Sequence, residues 1–151
     1  VVITPRRYEF PLRHAEPMVS HYAMIGMATV VNGFPLYYEA TNEKGLSIAG
    51  LNFPVSASYE EPVNDKANIG VFEFIPWILG QCSSVDEARD LLMSTNIVAM
   101  DFNEKYNYGK FEFGIKDGES SWTVLKSSYD IDVIKNYIKE KYLNGRQDKE
   151  E

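Results

Sequence analysis

Tyr37-Tyr38-Glu39-Ala40-Thr41-Asn42-Glu43-Lys44-Gly45-Leu46-Ser47-Ile48-Ala49-Gly50-Leu51-Asn52-Phe53-Pro54 decides how the rest of the chain is read. It holds two apolar runs, Leu36–Ala40 and Leu46–Phe53, joined by Thr41, Asn42, Glu43, Lys44 and Gly45. A loop of this length with a glycine at its end is the signature of a β-hairpin, so both runs are predicted as antiparallel strands of one sheet. Pro54 closes the second strand, because proline has no N–H to give to a ladder.

Working towards the N-terminus, Asn32, Gly33 and Pro35 mark a turn, and Tyr22–Val31 reads as a buried strand with Gly26 and Ala28 between larger residues. The segment up to Pro17 is charged and loop-like, and Val1–Thr4 is a β-branched run closed by Pro5, hence a strand at a sheet edge or end. Working the other way, Ser56–Asn68 is predicted as an exposed connection. A helix over Phe74–Cys82 then suits Pro76 in its first turn. Ser84 followed by Glu87 forms a capping box for a second helix carrying Val85, Ala88, Leu91 and Leu92, whose apolar face is expected to lie on the sheet. Phe111, Phe113 and Ile115 alternate in Lys110–Ile115, and Asp117-Gly118 turns the chain into Ser121–Leu125, a second hairpin. Asp130 caps a last predicted helix with Ile131, Ile134, Tyr137, Ile138 and Tyr142 near one face and Gly145 at its stop. The tail from Arg146 on is expected to fray. The class is α+β, and 151 residues suffice for one core.

Hydrophobic residues make up 44% and charged residues 25% of the chain, an ordinary globular balance. A net charge of −7 with scattered basic residues argues against a nucleic-acid partner. Arg6, Arg7 and Arg13 form the one local basic excess, a solvated face or an anion contact. The longest apolar stretch, Val71–Gly80, contains Glu73 and Pro76 and falls short of the ~20 residues of a membrane span. With Cys82 alone, no internal disulfide forms, and no Cys/His cluster offers a metal site, which together suit a reducing, cytoplasmic setting. Phosphate-loop, nucleophile-elbow and zinc-helix motifs are missing. His14 and His21 are read as surface or strand-edge residues. Cys82, late in an apolar helix, is read as a structural thiol, since a reactive thiolate needs a helix N-terminus or an adjacent base.

The opening stretch resembles the choloylglycine hydrolase family, which contains bile salt hydrolases and penicillin V acylases. Val2-Ile3-Thr4-Pro5-Arg6, Tyr22-Ala23-Met24-Ile25-Gly26-Met27 and Phe72-Glu73-Phe74-Ile75-Pro76-Trp77-Ile78-Leu79 carry the resemblance in the same order and spacing over about residues 1–98. Lys110–Leu125 matches more loosely, so residues 1–125 are taken as a partial domain of the family and 126–151 as a divergent C-terminal helix and tail. The resemblance implies part of a four-layer αββα N-terminal nucleophile (Ntn) hydrolase fold, of antiparallel sheets with flanking helices. It also implies a bacterial cytoplasmic amidase, commonly a homo-oligomer, acting without a cofactor.

In such an enzyme the first residue is a cysteine whose thiol attacks an amide while its own α-amino group serves as base. Val1 has the amine without the thiol and Cys82 the thiol without the amine. The family's early Arg and Asp belong upstream of Val1, and its later Asn and Arg downstream of the last matching block, so the chain alone is expected to be inert. A first residue other than Met points to processing, truncation or an upstream start. Asn52 matches the oxyanion-hole asparagine of the bile salt hydrolases, where the penicillin branch has Tyr; the residue alone could equally end a strand by bonding its own backbone. Residues 31–35 and 99–108 match places where the family borders its substrate, which makes Val31, Phe34, Met100 and Phe102 candidate pocket residues, each also a candidate for the core. The implied substrate is a glycine- or taurine-conjugated bile salt, with penicillin V as the alternative. A binding module without the nucleophile and an inert truncated product are the competing readings.

Overall fold

The protein is described here by a computed structural model that covers residues 1–52, 57–107 and 111–124. Eight strands and two helices follow in chain order: β1 (Val2–Thr4), β2 (Met24–Val31), β3 (Phe34–Asn42), β4 (Ser47–Asn52), β5 (Ala67–Gly70), α1 (Phe74–Gln81), α2 (Val85–Met93), β6 (Thr95–Val98), β7 (Phe111–Lys116) and β8 (Ser121–Val124). Six of them form one antiparallel sheet in the order β1-β2-β3-β4-β7-β8, with β1 at the edge as its Pro5 terminus predicts. The predicted helix over residues 131–143 lies outside the described residues.

The β3–β4 hairpin is the centre of this sheet, and its turn is narrower than expected because Thr41 and Asn42 stay in β3. Asn42 explains why. Its side-chain carbonyl accepts from the main-chain N–H of Lys44 and of Leu46, both at 3.0 Å, and holds the turn closed. Its amide nitrogen donates to the carbonyls of Leu79 and Cys82 at 2.8 and 2.7 Å. Those carbonyls belong to the end of α1, where intrahelical partners run out.

A single 3-10 turn, Val71–Glu73, leads into α1, and Pro76 sits in the first turn of that helix as predicted. Phe74, Ile78 and Leu79 of α1 are fully buried with Ile48 and Ile115 of the sheet, and the Phe74 and Phe113 rings lie 4.3 Å apart. It is α1 that covers the sheet, packing on β3 and β4, whereas α2 packs chiefly on β6. Ser84 caps α2 by accepting from the N–H of Glu87 at 3.2 Å. The reciprocal arm of the box shifts by one residue, because the Glu87 carboxylate takes the N–H and hydroxyl of Ser83 at 2.6 and 2.8 Å.

The connection predicted over residues 56–68 conceals β5, which pairs in parallel with β6. Asn68 makes the end of that stretch look like a loop, yet it accepts from the side chain of buried Asn96 at 2.9 Å. The opposite face of the large sheet carries no helix among the described residues. Ile25, Met27, Leu51 and Ile3 stand there between 48% and 71% exposed.

Candidate functional site

The strands β3 and β4 are paired only from Glu39–Ala49 to the turn. Tyr38 is the extra residue of a β-bulge, since β2 passes from Met27 opposite Glu39 to Ala28 opposite Tyr37. A bulge bends and twists its strand, so the ladder to β4 stops at this point. Beyond it a cavity of about 90 Å³ opens between β3, β4 and β7, lined by Tyr38, Gly50, Phe72, Tyr106, Phe111 and Phe113 among others. Gly50 contributes a wall without a side chain, its α-carbon facing the Phe113 ring. Two residues further along the same face of β4 comes Asn52, opposite Phe111 in the β4–β7 register.

Asn52 is exposed at the end of β4, and its side-chain amide makes no hydrogen bond among the described residues. Phe111, opposite it, is held from outside the sheet. Its N–H donates to the Tyr59 hydroxyl at 2.8 Å, and that hydroxyl donates to the Phe111 carbonyl at 3.2 Å. A side chain thus takes the place of a neighbouring strand, fixing the backbone that faces Asn52.

The other candidates gather one step away from this cavity. Val31 faces Phe34 across the β2–β3 turn, Phe34 is buried in the core, and its ring lies 5.5 Å from that of half-buried Phe102. Phe102 in turn meets Phe72, a cavity residue, at 6.4 Å. Half-buried Met100 lies beside Gly70, where an added Cβ would stand 3.7 Å from its own. Of the wall residues, Tyr38, Gly50 and Phe72 lie within the quoted motifs and Tyr106 within residues 99–108, but none of them, nor Phe111, is singled out by the sequence as a pocket residue.

The remaining reactive groups are used structurally. Cys82 is buried, and burial pushes its thiol up to about 11, out of the range of a nucleophile at neutral pH. His21 departs from its predicted surface place: it is buried, with Nδ1 and Nε2 lying 2.8 and 2.6 Å from the carbonyls of Tyr22 and Tyr8 and its ring edge-on to Phe10. Arg6 forks onto Glu43 and Arg13 onto main-chain carbonyls, so neither serves as a free anion contact. Among the described residues no group of His, Cys, Asp or Glu is gathered as a metal site, and no helix is long and apolar enough to cross a membrane.

A family model described as linear amide C–N hydrolases, choloylglycine hydrolase family, matches residues 1–141. The bile salt hydrolase/transferase of Lactiplantibacillus plantarum is 45% identical over 138 residues, which are 91% of this chain and 43% of that protein. That of Clostridium perfringens is 37% identical over 141 residues, 91% of this chain and 43% of its own length. The chain thus spans less than half the length of these relatives. Among solved structures, a variant of the conjugated bile acid hydrolase from Clostridium perfringens superposes with a TM-score of 0.75 at 33% identity, covering 83% of this chain and 39% of that one. Penicillin V acylase from Agrobacterium tumefaciens shares the fold alone, with a TM-score of 0.59 at 15% identity over 95% of this chain and 49% of that one.

Proposed function

The chain belongs to the choloylglycine hydrolase family, with its sheet and helices forming part of that family's Ntn-hydrolase fold, and from this premise we propose that it is part of an amidase acting on conjugated bile salts. The observation that carries the proposal is the Asn52 amide, which bonds to no described residue and lies two residues along the same face of β4 from Gly50 of the apolar cavity wall, within the stretch whose relatives are bile salt hydrolases. The chemistry is acyl transfer. A cysteine thiolate adds to the amide carbonyl, the tetrahedral intermediate expels the glycine or taurine amine, and water releases the bile acid from the thioester.

Within that sequence these 151 residues supply two parts. The Asn52 side-chain N–H donates to the oxygen as it becomes negative, a contact typically worth about 2.7–4 kcal/mol in the transition state. The aromatic wall takes up apolar surface of the acyl group and keeps water from the carbonyl. The nucleophile comes from outside these residues, because their one cysteine, Cys82, is buried and its thiol is held protonated.

The test is release of glycine or taurine from conjugated bile salts by a full-length protein carrying these residues, with and without Asn52→Ala. The expected outcome is hydrolysis that falls about 100- to 1000-fold in kcat with little change in KM. Binding of the bile salt without cleavage by the unsubstituted protein would replace the amidase with a binding module. Preferential cleavage of penicillin V would move it to the other branch.

A further inference from the structure

Arg13 sits in a loop closed by the Phe10–Met18 bridge, far in sequence from the cavity. Its position is nonetheless fixed from two sides. The main-chain N–H of Arg13 donates to one oxygen of Glu73 at 3.0 Å, while the other oxygen accepts from the N–H of Gly70 at 2.9 Å. Glu73 is buried, so this carboxylate bolts the Arg13 backbone to the turn that carries Phe72. From there the guanidinium reaches the carbonyls of Asp101 and Phe102 with one terminal nitrogen each, and its central carbon stands 5.1 Å from the Phe102 ring centroid. Two adjacent carbonyls and an aromatic face suit a planar, forked cation and are ill-matched to an ammonium.

The carbonyls it grips open a self-closed turn. The Phe102 N–H donates to the Tyr106 carbonyl at 2.8 Å, and the Asn103 side chain accepts from the N–H groups of Lys105 and Tyr106 at 3.0 and 2.9 Å. These bonds tie the turn to itself, and Tyr106 is the part of it that lines the cavity beside β4. The Phe102 ring anchors the turn as well, against Phe34 and Phe72.

We propose that Arg13 is a specificity-determining positioning residue: by clamping the 101–106 turn it sets the height of Tyr106 over the cavity, and so the size of acyl group that can pass under it. This rests on the amidase reading above for the identity of the ligand, and not for the clamp itself. A cavity of about 90 Å³ holds only part of a large acyl group, and because Tyr106 lines it, on this proposal the rest of the group passes by the turn. An acyl group small enough to stay inside is indifferent to the clamp.

Hydrogen exchange of a full-length protein carrying these residues reads the clamp without any substrate. Arg13→Ala is expected to lower the protection of the amides of Lys105 and Tyr106 by about tenfold, the scale of losing a charge-assisted pair of hydrogen bonds, and Arg13→Lys by less. In a full-length protein carrying the same substitutions, KM for a glycine conjugate of a steroid acid should rise about tenfold. KM for a glycine conjugate of a short fatty acid should hold within about twofold, as should both kcat values. Unchanged exchange, or an equal rise in KM for both conjugates, overturns the proposal. Failure of the unsubstituted protein to cleave any conjugate would instead overturn the amidase reading, with the exchange result still deciding the clamp.

Discussion

At the turn end of the β3–β4 hairpin Asn42 is buried and its amide makes four hydrogen bonds, whereas ten residues later Asn52 is exposed and its amide makes none among the described residues. The two ends differ in everything around these side chains. At the turn the ladder is complete, α1 ends on the hairpin, and Gly26 of β2 packs so closely that a Cβ there would lie 2.0 Å from the Glu39 carbonyl oxygen. At the other end a bulge halts the ladder and a cavity remains. A polar side chain whose every group is partnered inside the protein contributes to stability, and one left free at a cavity rim is available to a ligand.

The largest expected effect comes from breaking the saturated end. Asn42→Ala leaves two helix-end carbonyls and two turn N–H groups without partners in a buried place. At about 1–3 kcal/mol for each buried group left unmet, with some regained from water, a loss of about 3–5 kcal/mol in urea unfolding is expected. Asn42→Asp sharpens the point. It keeps the acceptor for Lys44 and Leu46 but sets a carboxylate against the carbonyls of Leu79 and Cys82, so it should destabilise at least as much as alanine. A cost below about 1 kcal/mol for both would mean that the hairpin does not depend on this hub.

Next in size is Gly26→Ala. The added Cβ would meet main-chain and Cβ atoms of Glu39 and Ala40 at 2.0–2.6 Å, which no rotamer change relieves. The strands must part, at a cost of about 3 kcal/mol. The same substitution at Gly50, beside the cavity, meets nothing closer than 3.4 Å and should cost about 1 kcal/mol or less. Thermal melting of the pair measures how much tighter one end of the sheet is than the other.

Sequence alone revealed the hairpins, both helices and the cap at Ser84, because each rests on local chemistry: alternation, turn residues, an N-cap hydroxyl. It hid whatever depends on polar groups that find partners only in three dimensions. Asn42 reads as a loop residue and proves to be a buried hub; Asn68 reads as part of an exposed connection and bonds to buried Asn96 between β5 and β6; His21 reads as a surface or strand-edge residue and is enclosed by two carbonyls. For the site, the motif Gly50-Leu51-Asn52 marked the right end of the right strand. Tyr38 and Phe72 lie in the quoted motifs and Tyr106 in the stretch 99–108, but their meeting with Phe111 in one wall could not be read, since the four come from separated segments. Arg13 stands out in the sequence only as part of a local basic excess, and its clamp leaves no signal because its partners are backbone carbonyls, which every residue has.

A smaller effect is expected from acid at the turn end. The Arg6 guanidinium, joined by the Ala23 N–H at 2.9 Å, holds the Glu43 carboxyl below the ordinary carboxylate range. A depressed folded-state pKa stabilises the fold above the unfolded value, about 4.3 for glutamate, and this contribution is lost as pH falls through the folded value. Glu43→Gln should therefore lower stability slightly at neutral pH and flatten its decline below about pH 4, with 1 M salt shrinking the difference. Urea midpoints from pH 2 to 7 for the two proteins check this. Parallel curves would show that the pair adds nothing on the exposed surface.

The smallest effect on stability belongs to Asn52, and its smallness is what the comparison requires. Asn52→Ala removes an exposed side chain that bonds to no described residue, so unfolding free energy should change by about 0.5 kcal/mol or less, within the range of surface substitutions. Asn52→Leu should be equally mild, because exposed Leu51 beside it already shows that this strand end tolerates an apolar side chain in water. If either substitution cost more than about 1 kcal/mol, the amide would be bonded to a group outside the described residues. Asn52 would then be a second Asn42, and its availability as a donor to a developing oxyanion would be lost. A stability loss near zero at Asn52, beside one of several kcal/mol at Asn42, leaves a ligand as the partner that the exposed amide can serve.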